Sequence, residues 1–317
     1  MSKQPGKCSL VILAAVLSID CAQFGLAQTF HNVPVPASAS ASDILAVSVG
    51  GNSVWFLDFN GVVYSYHHGD SAFKQYPTSM TFGVIAAGGG NAFSLTPDEV
   101  WTLGDPGPGV TGRSPYRLTG SGFVQMPGKL WQIAIGPGGR DSCHPYEVWG
   151  TNPSNQIFRF DYCSGQFNQQ PGSFSYIYVG GAGVWGTNGS QIFQLNFATH
   201  TLVQIPNPGS IYQLAVGPTG TWGIDSNYQV YEFDPSTQRF VAMNGQFLWG
   251  MSAGGNGVWG INLNANIWRL EPSIQGFAQV PGTLNTVPFV GDGSGIWALG
   301  AADGGIFQDG MSAFSTP

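Results

Sequence analysis

The sequence predicts an all-β chain folded as a β-propeller of four-stranded blades, with seven the preferred count and six the alternative. Three observations carry this reading. A Val-Trp-Gly motif or a close variant recurs at Trp55, Trp101, Trp149, Trp185, Trp222, Trp259 and Trp297. The successive spacings are 46, 48, 36, 37, 37 and 38 residues, the length of one blade. Between tryptophans run short stretches of Val, Ile, Phe, Tyr and Trp, bounded by Gly, Asn, Asp, Ser or Pro, which is the pattern of strands and turns. One such unit buries only part of its sheet alone, so it must stack on copies of itself.

Taken in order, residues 1–27 read as a secretory signal peptide. Lys3 and Lys7 give a positive start, Leu10–Ile19 an apolar core too short to span a bilayer, and Gly25 and Ala27 small residues at a cleavage site before Gln28. The location expected is secreted and extracellular, with the periplasm as an alternative. Residues 28–42 form an Ala/Ser/Pro-rich lead-in. Within it, Thr29–Pro34 resembles the outer strand Phe277–Pro281 and is expected to close the ring by joining the last blade.

The propeller itself is expected over residues 43–317. Four repeats are clear: Leu130–Gly172, Phe174–Pro206, Ile211–Met243 and Phe247–Gly282. Asp43–Met80, Thr81–Gly128 and Asn285–Pro317 are looser copies. Cys143 and Cys163 flank the second and third strands of the third repeat, each ten residues from Pro153 in the hairpin turn. Antiparallel pairing brings them together, and an oxidising compartment favours a disulfide. Two unpaired buried thiols are the alternative.

Composition narrows function. Charged residues make up 9% of the chain and aromatics 13%, which argues for a turn-rich β protein and against disorder. The net charge of −7 and the absence of any basic run make nucleic acid a poor partner. No apolar stretch after the signal is long enough for a transmembrane helix.

In a propeller, the loop between strands two and three shares a face with the start of strand one. The two-to-three loops carry Asp58, Asn152, Asn188, Asp225 and Asn262, each three residues after its tryptophan. The strand-one starts carry Trp131, Tyr212 and Trp249, each five residues before a glycine; the fourth repeat has Ser175 there. Aromatic faces beside amide and carboxylate groups suit a sugar ring and its hydroxyls. The candidate ligand residues are therefore Trp131, Asn152, Asn188, Tyr212, Asp225, Trp249 and Asn262. Alternatives stand beside each: local turn hydrogen bonding for the Asn and Asp residues, and burial between blades for Trp131 and Trp249. The seven motif tryptophans read as packing residues, and Arg159 and Arg269 as partners of a neighbouring blade.

The units Val-Trp-Gly-x-Asn, Gln-Ile-Phe-Arg-Phe and Phe-x-Gln-x-Pro-Gly resemble the tectonin repeat, best at Val148–Phe160, Val184–Leu195, Thr221–Phe233 and Val258–Leu270. The resemblance covers residues 43–317. It implies a propeller lectin that recognises surface glycans, O-methylated in some relatives, through several weak sites acting by avidity. It implies no cofactor, no metal and no catalysis.

Two other readings compete. One is an extracellular protein-interaction scaffold. The other is an enzyme similar to the streptogramin lyases, which requires a histidine, an acid and a metal on the central face. The five histidines do not repeat, and His67-His68 on a strand point to opposite faces. Asp292-Gly293-Ser294-Gly295 has too few carboxylates for calcium. Asn188-Gly189-Ser190 is an N-glycosylation sequon.

Overall fold

The computed structural model describes residues 30–33, 44–67, 70, 73–78, 80–89, 98–104, 111–284, 289–290, 296–299 and 306–309. The signal-peptide residues, His68 and Asp292–Gly295 lie outside them, as do the side chains of His31 and Trp297. Among the described residues no helix is long and apolar enough to cross a membrane.

The first strand, β1 (Phe30–Val33), is set apart from those that follow it. Blade 1 is β2 (Ile44–Val49), β3 (Ser53–Asp58), β4 (Val63–His67) and β5 (Lys74–Tyr76), paired in that order. Blade 2 is β6 (Phe82–Gly88), β7 (Glu99–Gly104), β8 (Pro115–Thr119) and β9 (Gly122–Gln125). Blade 3 runs from β10 (Gln132–Asp141) through β11 (His144–Thr151) and β12 (Gln156–Asp161) to β13 (Gln166–Ser173). Blade 4 is β14 (Tyr176–Gly180), β15 (Gly183–Asn188), β16 (Gln191–Asn196) and β17 (Thr201–Ile205). Blade 5 is β18 (Ile211–Val216), β19 (Thr221–Asp225), β20 (Gln229–Asp234) and β21 (Arg239–Phe247). Blade 6 is β22 (Gly250–Gly254), β23 (Gly257–Ile261), β24 (Asn266–Glu271) and β25 (Gly276–Thr283).

The expectation of seven blades needs correction. Six blades are each one run of four consecutive strands, and they fill residues 44–283. The remaining four-stranded sheet is not a seventh copy of that unit. It is a composite of β26 (Phe289–Val290), β27 (Ile296–Leu299) and β28 (Ile306–Asp309) with β1 from the other end of the chain. β1 pairs antiparallel with β28, Phe30 opposite Asp309 and Val33 opposite Ile306. Going round the ring, the inner strands β2, β6, β10, β14, β18 and β22 each lie against the next, and β26 lies between β22 and β2.

The motif tryptophans sit in the second strand of each blade and form the seams. Trp101, Trp185 and Trp259 are fully buried, and Trp149 and Trp222 nearly so. Trp101 of blade 2 meets Phe160 of blade 3 edge-on at 4.7 Å, and Trp185 of blade 4 meets Phe233 of blade 5 in the same way at 4.7 Å. Each indole has a small or short residue beside it on strand one in most blades: Ser48, Ala86, Ala134, Ala215 and Ser252. The seam is therefore a large ring from one blade filling the space left by small side chains, the packing that stacked sheets require.

Indole N–H groups need partners when buried. In blades 2 and 3 a glutamate two residues before the tryptophan supplies one. Trp149 Nε1 donates to Glu147 at 2.7 Å, and Arg159 on the next strand donates to the same carboxylate at 2.6 and 3.0 Å. Trp101, Glu99 and Arg117 repeat the arrangement. Arg159 thus pairs within its own blade rather than with a neighbour, while its guanidinium lies 5.5 Å from the Trp149 ring.

Inner strands approach most closely where they end. A Cβ on Gly180 would strike the backbone carbonyl of Val216 in the next blade, so only glycine fits there. The disulfide between Cys143 and Cys163 is formed, with Cα atoms 5.0 Å apart. It ties the ends of β11 and β12 together. Asp161 lies within reach of both sulfurs, but the two cysteines are already bonded to each other, and Asp161 accepts the backbone N–H groups of Cys163 and Ser164.

Candidate docking face

The loops between strands two and three and the starts of strand one share one face, and a repeated backbone device builds it. In blades 3, 5 and 6 the Asn or Asp that ends strand two turns its side chain back into the loop. Asn152 Oδ1 accepts N–H groups from Ser154 (3.0 Å) and Gln156 (2.9 Å). Asp225 Oδ1 does so from Asn227 (2.8 Å) and Gln229 (2.9 Å), and Asn262 Oδ1 from Asn264 and Asn266, both at 3.0 Å. Three residues after each lies a left-handed residue: Asn155 (φ 61°), Tyr228 (φ 68°) and Ala265 (φ 63°). The carbonyl of that residue accepts the N–H of the next blade's first buried residue: Phe174 at 2.9 Å, Leu248 at 2.8 Å and Leu284 at 3.0 Å. The Asx turn therefore aims a carbonyl across the seam and fixes where the next blade starts.

These hydrogen bonds are the local turn bonding expected as the alternative to sugar contact. The oxygens of Asn152, Asp225 and Asn262 that were to meet hydroxyls are engaged twice each by their own loops. Asp58 likewise accepts the Val62 N–H at 2.7 Å. Asn152 Nδ2 donates to Gln156 at 2.7 Å, and Asp225 Oδ2 accepts the Tyr231 hydroxyl at 3.2 Å. Asn188 differs: it ends a tight hairpin around Gly189 (φ 61°), and its Oδ1 lies 3.5 Å from Ser175 Oγ.

The aromatic half of the expectation has a different outcome. Trp131, Tyr212 and Trp249 are 53%, 44% and 46% exposed, so they are not buried between blades. Each follows a fully buried residue, Leu130, Ile211 or Leu248, that plugs the seam beneath it. Tyr212 Oη lies 3.5 Å from the carbonyl of Trp249, which places neighbouring blades' aromatics side by side. Burial pushes the Tyr212 hydroxyl above its ordinary pKa, with Tyr228 and Asp225 adding to the shift, so it remains a donor at neutral pH.

Sequence reasoning missed several members of this surface. Tyr176, 55% exposed, stands beside Ser175, one position further into strand one than Trp131, Tyr212 and Trp249. Leu45 follows Ile44 as Tyr212 follows Ile211, and Phe59 and Leu263 each follow the loop Asp or Asn. Phe247, beside Leu248, is also exposed. Aligning the repeats on the buried seam residue, instead of on tryptophan, would have found Leu45.

Behind this face, the inner strands line an open central recess of about 310 Å³, with Ser48, Tyr178 and Ser252 beside Ala134, Val179 and Leu214. Of the described histidines, His67 is exposed with Nδ1 2.6 Å from the Asn52 carbonyl, and His144 is 2.7 Å from Asp141.

The tectonin domain pattern matches residues 39–201 and 109–231, together more than half of the chain. The chain belongs to the tectonin-domain family. No curated protein matches it. Among solved structures, this tectonin-domain chain is similar to YCF48 bound to D1 peptide, at 14% identity and a TM-score of 0.61, covering 91% of this chain and 97% of that one. It is also similar to yeast RCC1 (Prp20) bound by Kap60, at 11% identity and a TM-score of 0.58, covering 86% and 81%. A third is the Pan2 WD40 domain of Neurospora crassa, at 14% identity and a TM-score of 0.59, covering 90% and 95%. At these identities the likeness is one of fold. Two of the three were solved with a protein or peptide partner and none with a sugar, so the expectation of carbohydrate recognition is corrected.

Proposed function

We propose that this tectonin-domain propeller is a protein-interaction module that docks its partner on the face formed by the strand-one starts and the two-to-three loops. One observation carries the reading: large apolar side chains crowd that face in the open, with Trp131, Tyr176, Tyr212 and Trp249 in consecutive blades and Leu45 and Leu263 beyond them. Trp and Tyr are the residue types that dominate protein interfaces, and contiguous exposed apolar surface marks an interaction site. The disulfide supports export to an oxidising compartment, extracellular or periplasmic, after removal of residues 1–27.

The test is affinity capture. The purified chain, immobilised and exposed to cross-linked extracts of its own source cells, should retain a defined set of proteins. A W131A/Y212A/W249A variant of unchanged circular dichroism and melting temperature should lose them, since each such anchor contributes about 1–2 kcal/mol or more. Retention of the same proteins by that variant would overturn the assignment of the face.

A further inference from the structure

One blade breaks the pattern of the docking face. In blade 2 the position that carries Leu45 in blade 1 and Tyr212 in blade 5 is Gly83. The missing side chain is replaced from elsewhere. Arg113 reaches in, its guanidinium 3.4 Å from where a Cβ on Gly83 would stand. The same guanidinium lies 5.2 Å from the centre of the exposed Trp131 ring. The backbone of Arg113 is locked in place by two hydrogen bonds with Leu130, at 2.7 and 2.9 Å, so the cation is presented by a fixed stem.

Three other arginines are spent on carboxylates: Arg117 on Glu99, Arg159 on Glu147 and Arg269 on Glu271. Among the described residues, no carboxylate lies within 4.0 Å of Arg113, and its Nε has no hydrogen-bond partner. Lys129 stands at the same seam, with its ammonium on Ser114 Oγ at 2.8 Å. A cation thus lies over an exposed tryptophan, with a second two residues before it in sequence, in a chain whose net charge is −7.

We propose that this face docks an acidic protein segment, its carboxylate gripped by Arg113 and its apolar side chains laid across Trp131 and Tyr176. The inference rests on the docking-face reading and names its partner's chemistry. A guanidinium offers a planar fork that matches a carboxylate in two parallel hydrogen bonds. Stacking on Trp131 holds the plane of that fork without using up its donors. The rest of the acidic molecule repels the same segment, so the approach is steered to blades 2 and 3. Two cations are too few for a nucleic-acid backbone, which needs a track of them.

A random peptide-display library panned on the full chain tests this, with counter-panning on R113Q and on W131A/Y212A/W249A. R113Q keeps the backbone bonds to Leu130, so it should fold normally. The expected result is enrichment of peptides carrying Asp or Glu beside apolar residues, with binding weakened about tenfold or more by R113Q and weakened further by salt. Enrichment of neutral or basic peptides that bind R113Q normally, yet fail on the aromatic variant, would overturn the acidic preference and leave the docking face standing. Enriched peptides that bind both variants as well as the wild type, or no enrichment at all, would overturn both.

Discussion

Glu147 is the most consequential single carboxylate in the blade seams. It is 2% exposed and accepts from Trp149 Nε1 at 2.7 Å and from Arg159 at 2.6 and 3.0 Å, with Arg159 itself only 9% exposed. Replacing it with methionine fills the volume but leaves a buried guanidinium without its counter-charge. Breaking such a pair from one side costs about 3–5 kcal/mol. The loss is a large part of a total stability of about 5–15 kcal/mol, and it should lower the melting temperature by about 6–20 °C. The E147M/R159M double variant removes both charges, and methionine retains contact with the Trp149 and Phe197 rings that Arg159 now touches. It should therefore be more stable than E147M alone. Urea unfolding followed by tryptophan fluorescence, run on both single variants and the double, measures the coupling. A loss below about 1 kcal/mol for E147M, or strictly additive losses in the double, would refute the argument that the pair matters through its desolvated charges.

Four further outcomes are expected. Replacing Cys143 and Cys163 with alanine should cost about 3 kcal/mol for the loop they close, read from the same unfolding curves. G180A should cost about 1–3 kcal/mol because its methyl meets the Val216 carbonyl, whereas G120A, with open space around it, should stay within about 0.5 kcal/mol of wild type. A265G should raise stability by up to about 1 kcal/mol by relieving a left-handed alanine, and a loss would mean that the methyl packs usefully. Burial holds the Asp98 carboxyl above its ordinary value of 3.8, against the opposing hydrogen bonds from Trp55, Asn52 and Ser53. The folded state then binds the proton more tightly, so this group's contribution is full below 3.8 and is lost as pH rises through the folded value. The stability of D98N relative to wild type should rise over that interval, and a difference that stays constant would refute it.

Much of the fold was legible because a propeller repeats its seams. The tryptophan in strand two has the same packing task in every blade, so it survives where loops change, and its period marked the blades. The disulfide was legible from the hairpin alone, since two cysteines equally distant from one turn must meet. The displaced outer strand was legible too, as β1 resembles the strand it replaces. The blade count was harder to read, because counting repeats treats every tryptophan as one complete unit. On the docking face, Asn and Asp looked like ligand groups because the same residues serve turns and sugars. The hydrogen bonds of Asn152, Asp225 and Asn262 show that they serve the turns. Arg113 was invisible in the repeat because it fills a gap left by Gly83 from a different loop.

The sheet that joins β1 to β28 also sets the order in which the molecule can be completed. Each of the six contiguous blades pairs strands that are neighbours in sequence, so its hydrogen bonds form locally and early. The composite sheet instead pairs Phe30 with Asp309, across nearly the whole chain. The entropy of closing so long a loop grows only with the logarithm of its length, but the contact cannot form until the last strand exists. A chain emerging from its amino end holds β1 idle until β28 arrives. Closure of the ring is then the final, slow event of folding, and loss of β1 or of β28 should leave six stacked blades with an open seam.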